Sequence, residues 1–402
     1  MVAASLVAPY DLIAVGGGIG GASLALTMAR RGARVLVLER ETRFADRVRG
    51  EALSPWGVAE ARAIGVAAHL QPGPGHELPW LDSYFEGAQI SHRDIPSSTP
   101  HAAPWLAFYH PAMQEAVIDA AAAAGAEVRR GVRVRGVTSG RAPAVAVDGE
   151  SPALVARLVV GADGRTSMVR RWGGFAVQRE RERDVFSGVL FEGLASPSDT
   201  SVIFFTARGR IALLFPQGDG RVRAYMGYHR GAGPPASGDY DVRRFIEESI
   251  GVGVPADWFA RAQPIGPLAM FDATDTWVPH PYGEGVALIG DAAATSDPTW
   301  GQGMSLTLRD VRVLADRLSA ADDWDAAAHA YAAEHDCYAE IVRRVDGWYS
   351  DLLMDVSPSA EAARLRALPL FMTDQDRMVD VFSSGPEVPA GETERRRFFG
   401  EE

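Results

Sequence analysis

The apolar positions at the start of the chain follow a strand–helix–strand pattern. Residues 11–15 form a short apolar run, as expected for a buried parallel strand. A glycine cluster follows, after which residues 22–31 have a helix-forming composition and Gly32 ends the helix. Residues 35–38 form a second apolar run. The pattern therefore predicts one β-α-β unit.

The middle of the chain changes from helical to β-type periodicity. Residues 111–124 predict an alanine-rich helix that Gly125 stops, and residues 154–160 predict a further buried strand. Beyond about residue 175, aromatic and β-branched runs alternate with glycine-containing turns, which predicts an inserted antiparallel sheet. The runs of this sheet are 185–190, 201–205, 211–215 and 222–228.

The last third returns to the first pattern. Residues 286–289 read as a buried strand, residues 303–345 as mainly helical, and the tail from Gly385 as mobile surface. We therefore expect a discontinuous α/β lobe, a β-rich domain and a C-terminal segment. The lobe comprises residues 1–80, 100–175 and 276–345, the β-rich domain 81–99 and 176–275, and the C-terminal helical segment and tail 346–402.

Composition narrows the possible functions. The formal net charge of −12 argues against a nucleic-acid partner. All 40 basic residues are arginine, so lysine Schiff bases, pyridoxal phosphate enzymes and P-loop lysines are excluded. Cys337 is the sole cysteine, residues 1–9 resemble a leader tail rather than a signal peptide, and no apolar run reaches membrane-spanning length. We expect a cytoplasmic protein without a bound metal; the oligomeric state stays open.

The glycine cluster predicts a dinucleotide site. Residues 16–21 fit G-x-G-x-x-G between strand and helix. The first glycine permits the turn, the second lets a pyrophosphate approach, and the third lets helix and strand pack closely. Glu39 ends the second strand, where its carboxylate can accept hydrogen bonds from a ribose. The candidate contacts in the turn are Gly16, Gly18, Ile19, Gly20 and Gly21.

Two later segments carry further ligand chemistry. Asp163 follows a buried strand within residues 160–170, and Asp291 follows another within residues 288–293. A carboxylate at a strand end can bind a polyol chain. The Gly-x-Gly run at 301–303 opens a helix and offers amides to an anion.

Together, the three segments resemble the motifs of the group A flavoprotein monooxygenases, the para-hydroxybenzoate hydroxylase-like family, in the family's order. The resemblance covers about residues 10–345. It implies an α/β fold with a Rossmann-like FAD-binding lobe, an inserted β-sheet substrate domain and a helical C-terminal region. It also implies FAD as cofactor, with NADH or NADPH as reductant.

The same resemblance implies roles for single residues. Glu39 would bind the FAD ribose, Asp163 would support FAD and NAD(P)H binding, and Asp291 would hold the ribityl chain. The loop with Pro298 and Trp300 would border the reaction site. The backbone that would face the flavin pyrimidine edge belongs to Gly301, Gln302, Gly303, Met304 and Ser305.

An arginine following the ribose-binding region contacts the cofactor in this family, and Arg49 is our first candidate, with Arg40 and Arg47 as others. The chain departs from the family pattern at the helix near residue 110. His110-Pro111-Ala112-Met113 replaces the common Arg-x-x-Leu, so His110 is the candidate substitute for that FAD contact.

The implied reaction uses NAD(P)H and O2 to hydroxylate or epoxidise an apolar, aromatic or polyketide-like small molecule through a flavin C4a-hydroperoxide. Such chemistry requires a closed, apolar pocket. No side chain is assigned as a general base. The residues expected to form the substrate region are Phe204, Phe215, Tyr225, Tyr228 and Trp300.

Other functions share some of these motifs. An FAD-dependent reductase of an isoprenoid or other unsaturated molecule shares all three and stays open. A protein that keeps FAD without catalysis, or a plain NAD-dependent dehydrogenase, is a more distant alternative. A tryptophan-type halogenase is disfavoured because the chain lacks lysine and the Gly-Trp-x-Trp-x-Ile-Pro run.

Overall fold

The computed structural model describes residues 10–207, 209–232 and 241–402. The expected leader tail, residues 1–9, lies outside these ranges. No helix in the described ranges is both long and apolar enough to cross a membrane.

The strands belong to two large sheets and two small ones. In chain order they are β1 (Tyr10–Val15), β2 (Val35–Glu39), β3 (Ala52–Leu53), β4 (Gly75–Leu78), β5 (Trp80–Phe85), β6 (Ala88–Asp94), β7 (Trp105–Phe108), β8 (Glu127–Arg130), β9 (Val134–Thr138), β10 (Ala144–Val147), β11 (Leu154–Gly161), β12 (Gln178–Arg179), β13 (Asp184–Glu192), β14 (Thr200–Thr206), β15 (Arg210–Pro216), β16 (Arg221–His229), β17 (Gln263–Pro264), β18 (Ala269–Asp272), β19 (Thr276–Trp277), β20 (Tyr282–Gly283), β21 (Val286–Leu288) and β22 (Ala294–Thr295).

The α-helices connect the strands and build the C-terminal third. They are α1 (Ile19–Arg30), α2 (Pro55–Ala63), α3 (Ala67–Leu70), α4 (Ile95–Ser98), α5 (His110–Ala123), α6 (Met168–Trp172), α7 (Val242–Val252), α8 (Gly303–Ser319), α9 (Trp324–Tyr349), α10 (Pro358–Thr373), α11 (Val381–Ser384) and α12 (Glu392–Phe398).

The first large sheet is the core of a Rossmann-like lobe. Its strand order is β20-β21-β11-β1-β2-β8, and β1 pairs in parallel with both β2 and β11. The carboxyl ends of β1, β2, β11 and β21 therefore lie at one edge, where ligands bind in open α/β sheets. The predicted β-α-β unit is β1-α1-β2, and this sheet confirms the predicted fold class.

The second large sheet is ordered β17-β13-β16-β15-β14-β5-β6 and is antiparallel except where β5 runs parallel to β14. One face packs on α7 and forms a separate hydrophobic core. The opposite face turns towards the parallel sheet. Because side chains alternate along a strand, each of these strands contributes to both faces.

The C-terminal tail does not behave as mobile surface, and that prediction was wrong. Phe398 on α12 is fully buried, with its ring 4.8 Å from Tyr349 and 5.4 Å from Phe371. The short α12 is amphipathic, with three arginines beside one aromatic anchor. This single apolar position outweighs the charged composition from which surface exposure was predicted.

Candidate active site

A cavity of about 1960 Å³ separates the two large sheets. One end lies at the carboxyl edge of the parallel sheet, and the other is the free face of the second sheet. Most sequence-predicted site residues line it. They are Gly16, Gly18, Ile19, Gly20, Glu39, Arg40, Arg49, His110, Asp163, Asp291, Pro298, Trp300, Gly301, Gly303 and Met304, with Phe215 and Tyr225 from the second sheet.

The glycine turn leaves room for a pyrophosphate. A Cβ on Gly16 would lie 2.4 Å from the Ala162 carbonyl oxygen, and one on Gly21 would lie 1.9 Å from the Gly16 oxygen. Gly16 also has a φ of +104°, which favours glycine. A Cβ on Gly18 would meet only Gln114 Nε2, at 3.5 Å. The open space thus lies at the start of α1, where the first-turn amides lack helical acceptors.

Glu39 sits at the end of β2 and is buried. Its carboxylate accepts hydrogen bonds from the Gly17 amide at 2.6 Å and the Glu41 amide at 2.8 Å. These bonds fix the carboxylate beside the glycine turn, and each oxygen keeps acceptor capacity for a ribose hydroxyl.

A second helix start faces the cavity at α8. Gly303 and Met304 open this helix, and no side chain caps its N-terminus. The Asp291 carboxylate is near, because a Cβ on Gly303 would lie 4.0 Å from Asp291 Oδ1. Burial raises the pKa of Asp291, while the positive charges of Arg165, Arg49 and Arg170 oppose the rise. An acceptor for a polyol thus stands beside a positive helix end.

The Gln302 side chain is fully buried behind the loop and does not line the cavity. Its Oε1 accepts from Trp56 Nε1 at 2.8 Å, and its Nε2 donates to the Trp300 carbonyl at 2.7 Å. The side chain fixes the loop that carries Gly301, and the predicted contact of the Gly301–Ser305 backbone with the cofactor stays a prediction.

Asp163 lines the cavity and also holds the following helix in place. Its carboxylate accepts from Ser167 Oγ at 2.5 Å and from the amides of Met168 and Val169 at 2.7 and 3.1 Å. Bonds within its own segment therefore engage both oxygens. Its predicted role in FAD and NAD(P)H binding stays a prediction.

The basic candidates differ in their surroundings. Arg49 lines the cavity close enough to Asp291 for its positive charge to oppose the rise that burial causes in the pKa of that carboxyl. Arg40 is largely exposed and pairs with Glu41 at 3.3 Å. His110 is buried, which lowers its pKa to about 4, so the ring is neutral near pH 7. Its Nδ1 donates to the Gly50 carbonyl at 2.9 Å. His110 thus cannot supply the positive charge of an arginine.

The second sheet supplies an apolar wall. On β14, Ile203 and Phe205 face the cavity, and Phe215 and Tyr225 do so from β15 and β16. The Tyr225 hydroxyl donates to the Arg49 carbonyl, which ties this wall to the cofactor end.

The substrate-region prediction was wrong for Phe204 and Tyr228. Phe204 stacks on Tyr84 at 4.7 Å in the α7-side core. Tyr228 lies in the same core and donates to Glu248 at 2.6 Å. Both occupy the strand positions that alternate with the cavity-facing ones, and aromatic composition alone does not distinguish the two faces.

No pattern in the sequence indicated the cavity wall that the C-terminal segment forms. Leu368, Phe371 and Phe382 line the cavity from this segment. The Trp300 indole stacks on Phe382 at 5.5 Å and donates from Nε1 to Ser350 Oγ at 2.8 Å. The Pro298–Trp300 loop is therefore supported from the C-terminal side.

A buried ion pair was also missed. Arg223, which is fully buried on β16, donates to Glu51 Oε2 at 2.6 Å and to Asp46 Oδ2 at 2.8 Å. Glu51 also accepts from the His110 amide at 3.0 Å. Arg223 lies two positions before Tyr225 on β16, so both side chains are on the same face of the sheet. A charged residue at this strand position could have indicated a buried ion pair. The pair joins the second sheet to the segment that carries Arg49.

A glycine turn, an acid at the end of β2 and a second helix start around one cavity define a dinucleotide-binding flavoenzyme fold. The open space at Gly18, the acceptor oxygens of Glu39 and Asp291 and the amides of α8 fit FAD. Residues 10–345 match the model of a family described as FAD binding domain, and the chain therefore belongs to this family, which includes the para-hydroxybenzoate hydroxylase-like monooxygenases. The predicted family and FAD cofactor are confirmed, and the protein is an FAD-dependent enzyme.

The chain is similar both to proteins named as monooxygenases and to proteins named as reductases. The chain is 28% identical to the 6-methylpretetramide 4-monooxygenase of Streptomyces rimosus over 381 residues, covering 90% of this chain and 88% of that protein. It is 28% identical to the menaquinone reductase of Mycolicibacterium smegmatis over 350 residues, covering 81% and 80%. The crystal structure of p-nitrophenol 4-monooxygenase from Pseudomonas putida is similar in fold, with a TM-score of 0.77, 18% identity and coverage of 93% and 96%.

Proposed function

We propose that the protein is a single-component monooxygenase that uses NAD(P)H and O2 to hydroxylate or epoxidise an apolar, aromatic or polyketide-like small molecule. The observation that carries this proposal is the continuous cavity. It joins the FAD-binding end to an apolar sheet face that includes Ile203, Phe205 and Phe215. A substrate lying on this face is adjacent to the loop at Pro298.

Each group at the cofactor end has a binding role. The amides at the start of α1 hold the pyrophosphate, Glu39 the ribose and Asp291 the ribityl chain. The uncapped start of α8 favours negative charge on the ligand beside it. A bound FAD would supply the redox chemistry that links NAD(P)H oxidation to the activation of O2.

The sheet face and the C-terminal wall exclude water. Leu213, Phe215 and Phe371 present hydrocarbon to the cavity, so a reactive oxygen species there meets few proton donors. The Tyr225 hydroxyl is engaged with the Arg49 carbonyl, and burial raises its pKa well above the usual range. Tyr225 thus positions the wall and does not act as a base. The monooxygenase name of the Streptomyces rimosus relative supports oxygen insertion.

A reductase is the second candidate, because the Mycolicibacterium smegmatis relative is a menaquinone reductase of similar coverage. Both candidates use the same cofactor end and an apolar substrate. They differ in the fate of O2, since only the monooxygenase consumes O2 in proportion to product.

The deciding experiment screens apolar aromatic and isoprenoid compounds for stimulated NADPH and NADH oxidation by the purified holoenzyme. O2 uptake and product mass are followed together. The proposal expects a product that gains one oxygen atom and O2 uptake equal to product. A product that gains two hydrogens without matched O2 uptake would establish the reductase instead.

The ribityl assignment has its own test. Asp291→Ala is expected to lower FAD content after gel filtration by at least about tenfold, as for the loss of a hydrogen bond to a buried charged group. Tyr228→Phe is the control, because that hydroxyl faces Glu248 on the far side of the sheet. Equal FAD content in the two variants would remove Asp291 from the cofactor site.

A further inference from the structure

A buried carboxylate on α8 holds the turn that carries Asp291. Asp310 is 1% exposed and lies behind the cavity wall, so it can act on a ligand only through the residues that it holds. Its Oδ2 accepts a hydrogen bond from the Gly290 amide at 2.7 Å. Gly290 precedes Asp291 and opens the short helical turn that ends at Ala292. The bond therefore fixes the start of the turn on which Asp291 lies.

Helix α9 anchors the other oxygen of the same carboxylate. Asp310 Oδ1 accepts from His335 Nδ1 at 2.9 Å and from the Tyr338 hydroxyl. Tyr331, one helical turn before His335, donates its hydroxyl to the Leu288 carbonyl at 2.7 Å, at the end of β21. Side chains at these spacings share one face of a helix. One face of α9 thus supports both the strand end and the carboxylate that holds the turn.

The backbone at Gly290 is held on both sides. Its φ of +58° favours glycine, and a Cβ there would lie 2.9 Å from Thr307 Oγ1 on α8. The Gly290 carbonyl accepts from the Ala293 amide at 2.8 Å. Asp310 is the partner on the amide side. Without it, the turn would keep only the bond within its own segment, and a buried N–H would lose its acceptor, which is costly.

The charge of Asp310 works against the ionised form of Asp291. Burial is the main cause of the raised pKa of Asp291, and the negative charge of Asp310 adds a smaller rise. An ionised carboxylate is the stronger hydrogen-bond acceptor. A benefit of Asp310 to the cofactor site must therefore come from its hydrogen bond to Gly290, and not from its charge.

We propose that Asp310 is a positioning residue for the flavin: through Gly290 it holds the Asp291 carboxylate where the ribityl chain binds. This inference rests on the proposed function, because it takes Asp291 as the ribityl contact. An acceptor that is already fixed in place loses less conformational entropy when its ligand binds. Loss of the support behind Asp291 should therefore weaken FAD binding even though the Asp291 side chain itself is unchanged.

The test compares FAD affinity among variants. The FAD-loaded protein is dialysed against buffers of known FAD concentration, and the flavin that stays bound gives the Kd. Asp310→Ala is expected to raise the Kd about tenfold, the lower end of the effect of supporting residues at metal sites. Asp310→Asn keeps an oxygen for the Gly290 amide, and the His335 ring and the Tyr338 hydroxyl can both accept from the new amide. It is expected to stay within about threefold of the wild type.

A double variant determines whether Asp310 acts through Asp291. Once the Asp291 carboxylate is gone, the position of the turn no longer affects a bond to the ribityl chain. Asp291→Ala/Asp310→Ala is therefore expected to bind FAD within about twofold of Asp291→Ala alone, whereas independent effects would multiply. A merely structural role of Asp310 would give the multiplied loss.

Phe204→Ala is the matched control for lost stability. Phe204 is 1% exposed in the α7-side core, away from the cavity. Its removal is expected to lower the free energy of unfolding in urea and to leave the FAD Kd unchanged. An increase in Kd as large as that of Asp310→Ala would mean that FAD affinity follows overall stability, which would overturn the inference.

Three further outcomes would overturn it: wild-type affinity in Asp310→Ala, equal losses in Asp310→Ala and Asp310→Asn, or multiplied losses in the double variant. If Asp310→Ala does not fold, Asp310→Glu takes its place, because it keeps the charge but displaces the acceptor. Unchanged FAD affinity in Asp291→Ala would remove the ribityl assignment, and this inference with it. A reaction without oxygen insertion would leave all these affinities as expected, so failure of the monooxygenase proposal is distinguishable.

Discussion

The two ends of the cavity are built from different parts of the chain. The cofactor end consists mainly of backbone, from the Gly16–Gly21 turn and the start of α8, with two strand-end carboxylates beside it. The substrate end consists of side chains on alternate positions of β14, β15 and β16 and on the C-terminal helices. Backbone amides are the same whatever side chains surround them, whereas a side-chain wall changes with each substitution.

This difference separates what holds the cofactor from what selects the substrate. The cofactor end needs glycine at a few positions where a Cβ would collide with backbone. The substrate end can change its shape and polarity without disturbing the parallel sheet. We therefore expect substitutions at the cofactor end to abolish FAD binding, and substitutions at the substrate end to alter selectivity in a protein that still binds FAD.

The largest effect is expected for Gly21→Val. A Cβ there would lie 1.9 Å from the Gly16 carbonyl oxygen, so α1 must move away from β1. Loss of FAD binding is expected, together with destabilisation of at least about 4 kcal/mol. FAD content and the free energy of unfolding in urea measure the two effects. Gly136→Ala is the control, because a Cβ on Gly136 meets no atom within 4 Å. Normal FAD content in Gly21→Val would contradict the tight packing of helix on strand.

The two faces of β14 provide the next test. Phe204 is 1% exposed in the α7-side core, so Phe204→Ala is expected to cost about 3–5 kcal/mol and to leave ligand affinity unchanged. Phe205 faces the cavity and is only partly buried, so Phe205→Ala is expected to cost about 1 kcal/mol and to weaken substrate binding. The free energy of unfolding in urea measures the loss of stability in each variant, and the substrate KM measures the change in substrate binding. If Phe204→Ala weakened substrate binding and Phe205→Ala caused the larger loss of stability, the assignment of the two faces of β14 would be wrong.

These adjacent residues show how far sequence reasoning reached. Four strands of the second sheet, β13 to β16, and the β-α-β unit followed from hydrophobic periodicity, and the glycine turn and its acid followed from glycine spacing and strand-end position. Those features are local. Phe204 was placed on the wrong face because buried strands are apolar on both sides, which removes the alternation that would have indicated the cavity side.

Features that depend on distant partners were not predictable from the sequence. The Arg223–Glu51 pair joins residues far apart in the chain, and neither residue identifies its partner. The C-terminal wall depends on the burial of Phe398 against Tyr349 and Phe371, in a segment whose composition is charged.

A pH effect is expected where the two ends meet, behind the Pro298 loop. Burial raises the pKa of Asp184 to about 8, with a smaller contribution from the negative charge of Asp297. Burial also raises the pKa of Asp297, to about 6. In the unfolded chain both titrate near 3.9, so between about pH 4 and pH 8 the folded state holds protons that the unfolded state has released. Stability therefore falls as pH rises through this window.

The measurement is the free energy of unfolding at pH 6 and pH 8. Asp184→Asn should reduce the fall by about 2 kcal/mol, since each proton difference contributes up to about 1.4 kcal/mol per pH unit. Some fall should persist, because burial also raises the pKa of Asp275 and Asp346. Asp148→Asn is the control, since its exposed carboxyl pairs with Arg135. A wild-type stability that rises between these pH values would contradict the buried, protonated pair.

The smallest effect is expected at the cavity mouth, where Arg93 Nη1 lies 2.8 Å from Asp380 Oδ2 and joins the β5–β6 hairpin to the C-terminal wall. Asp380→Asn removes the charge but retains an acceptor for the Ser383 amide, which Asp380 caps at 3.0 Å. The expected loss is about 0.5 kcal/mol and should shrink in high salt, with substrate KM unchanged. Apolar packing of Trp300 on Phe382 would then hold the wall in place. A large rise in KM would instead mean that the ion pair sets the shape of the substrate end. The substrate end would then depend on an electrostatic interaction as well as on apolar side chains.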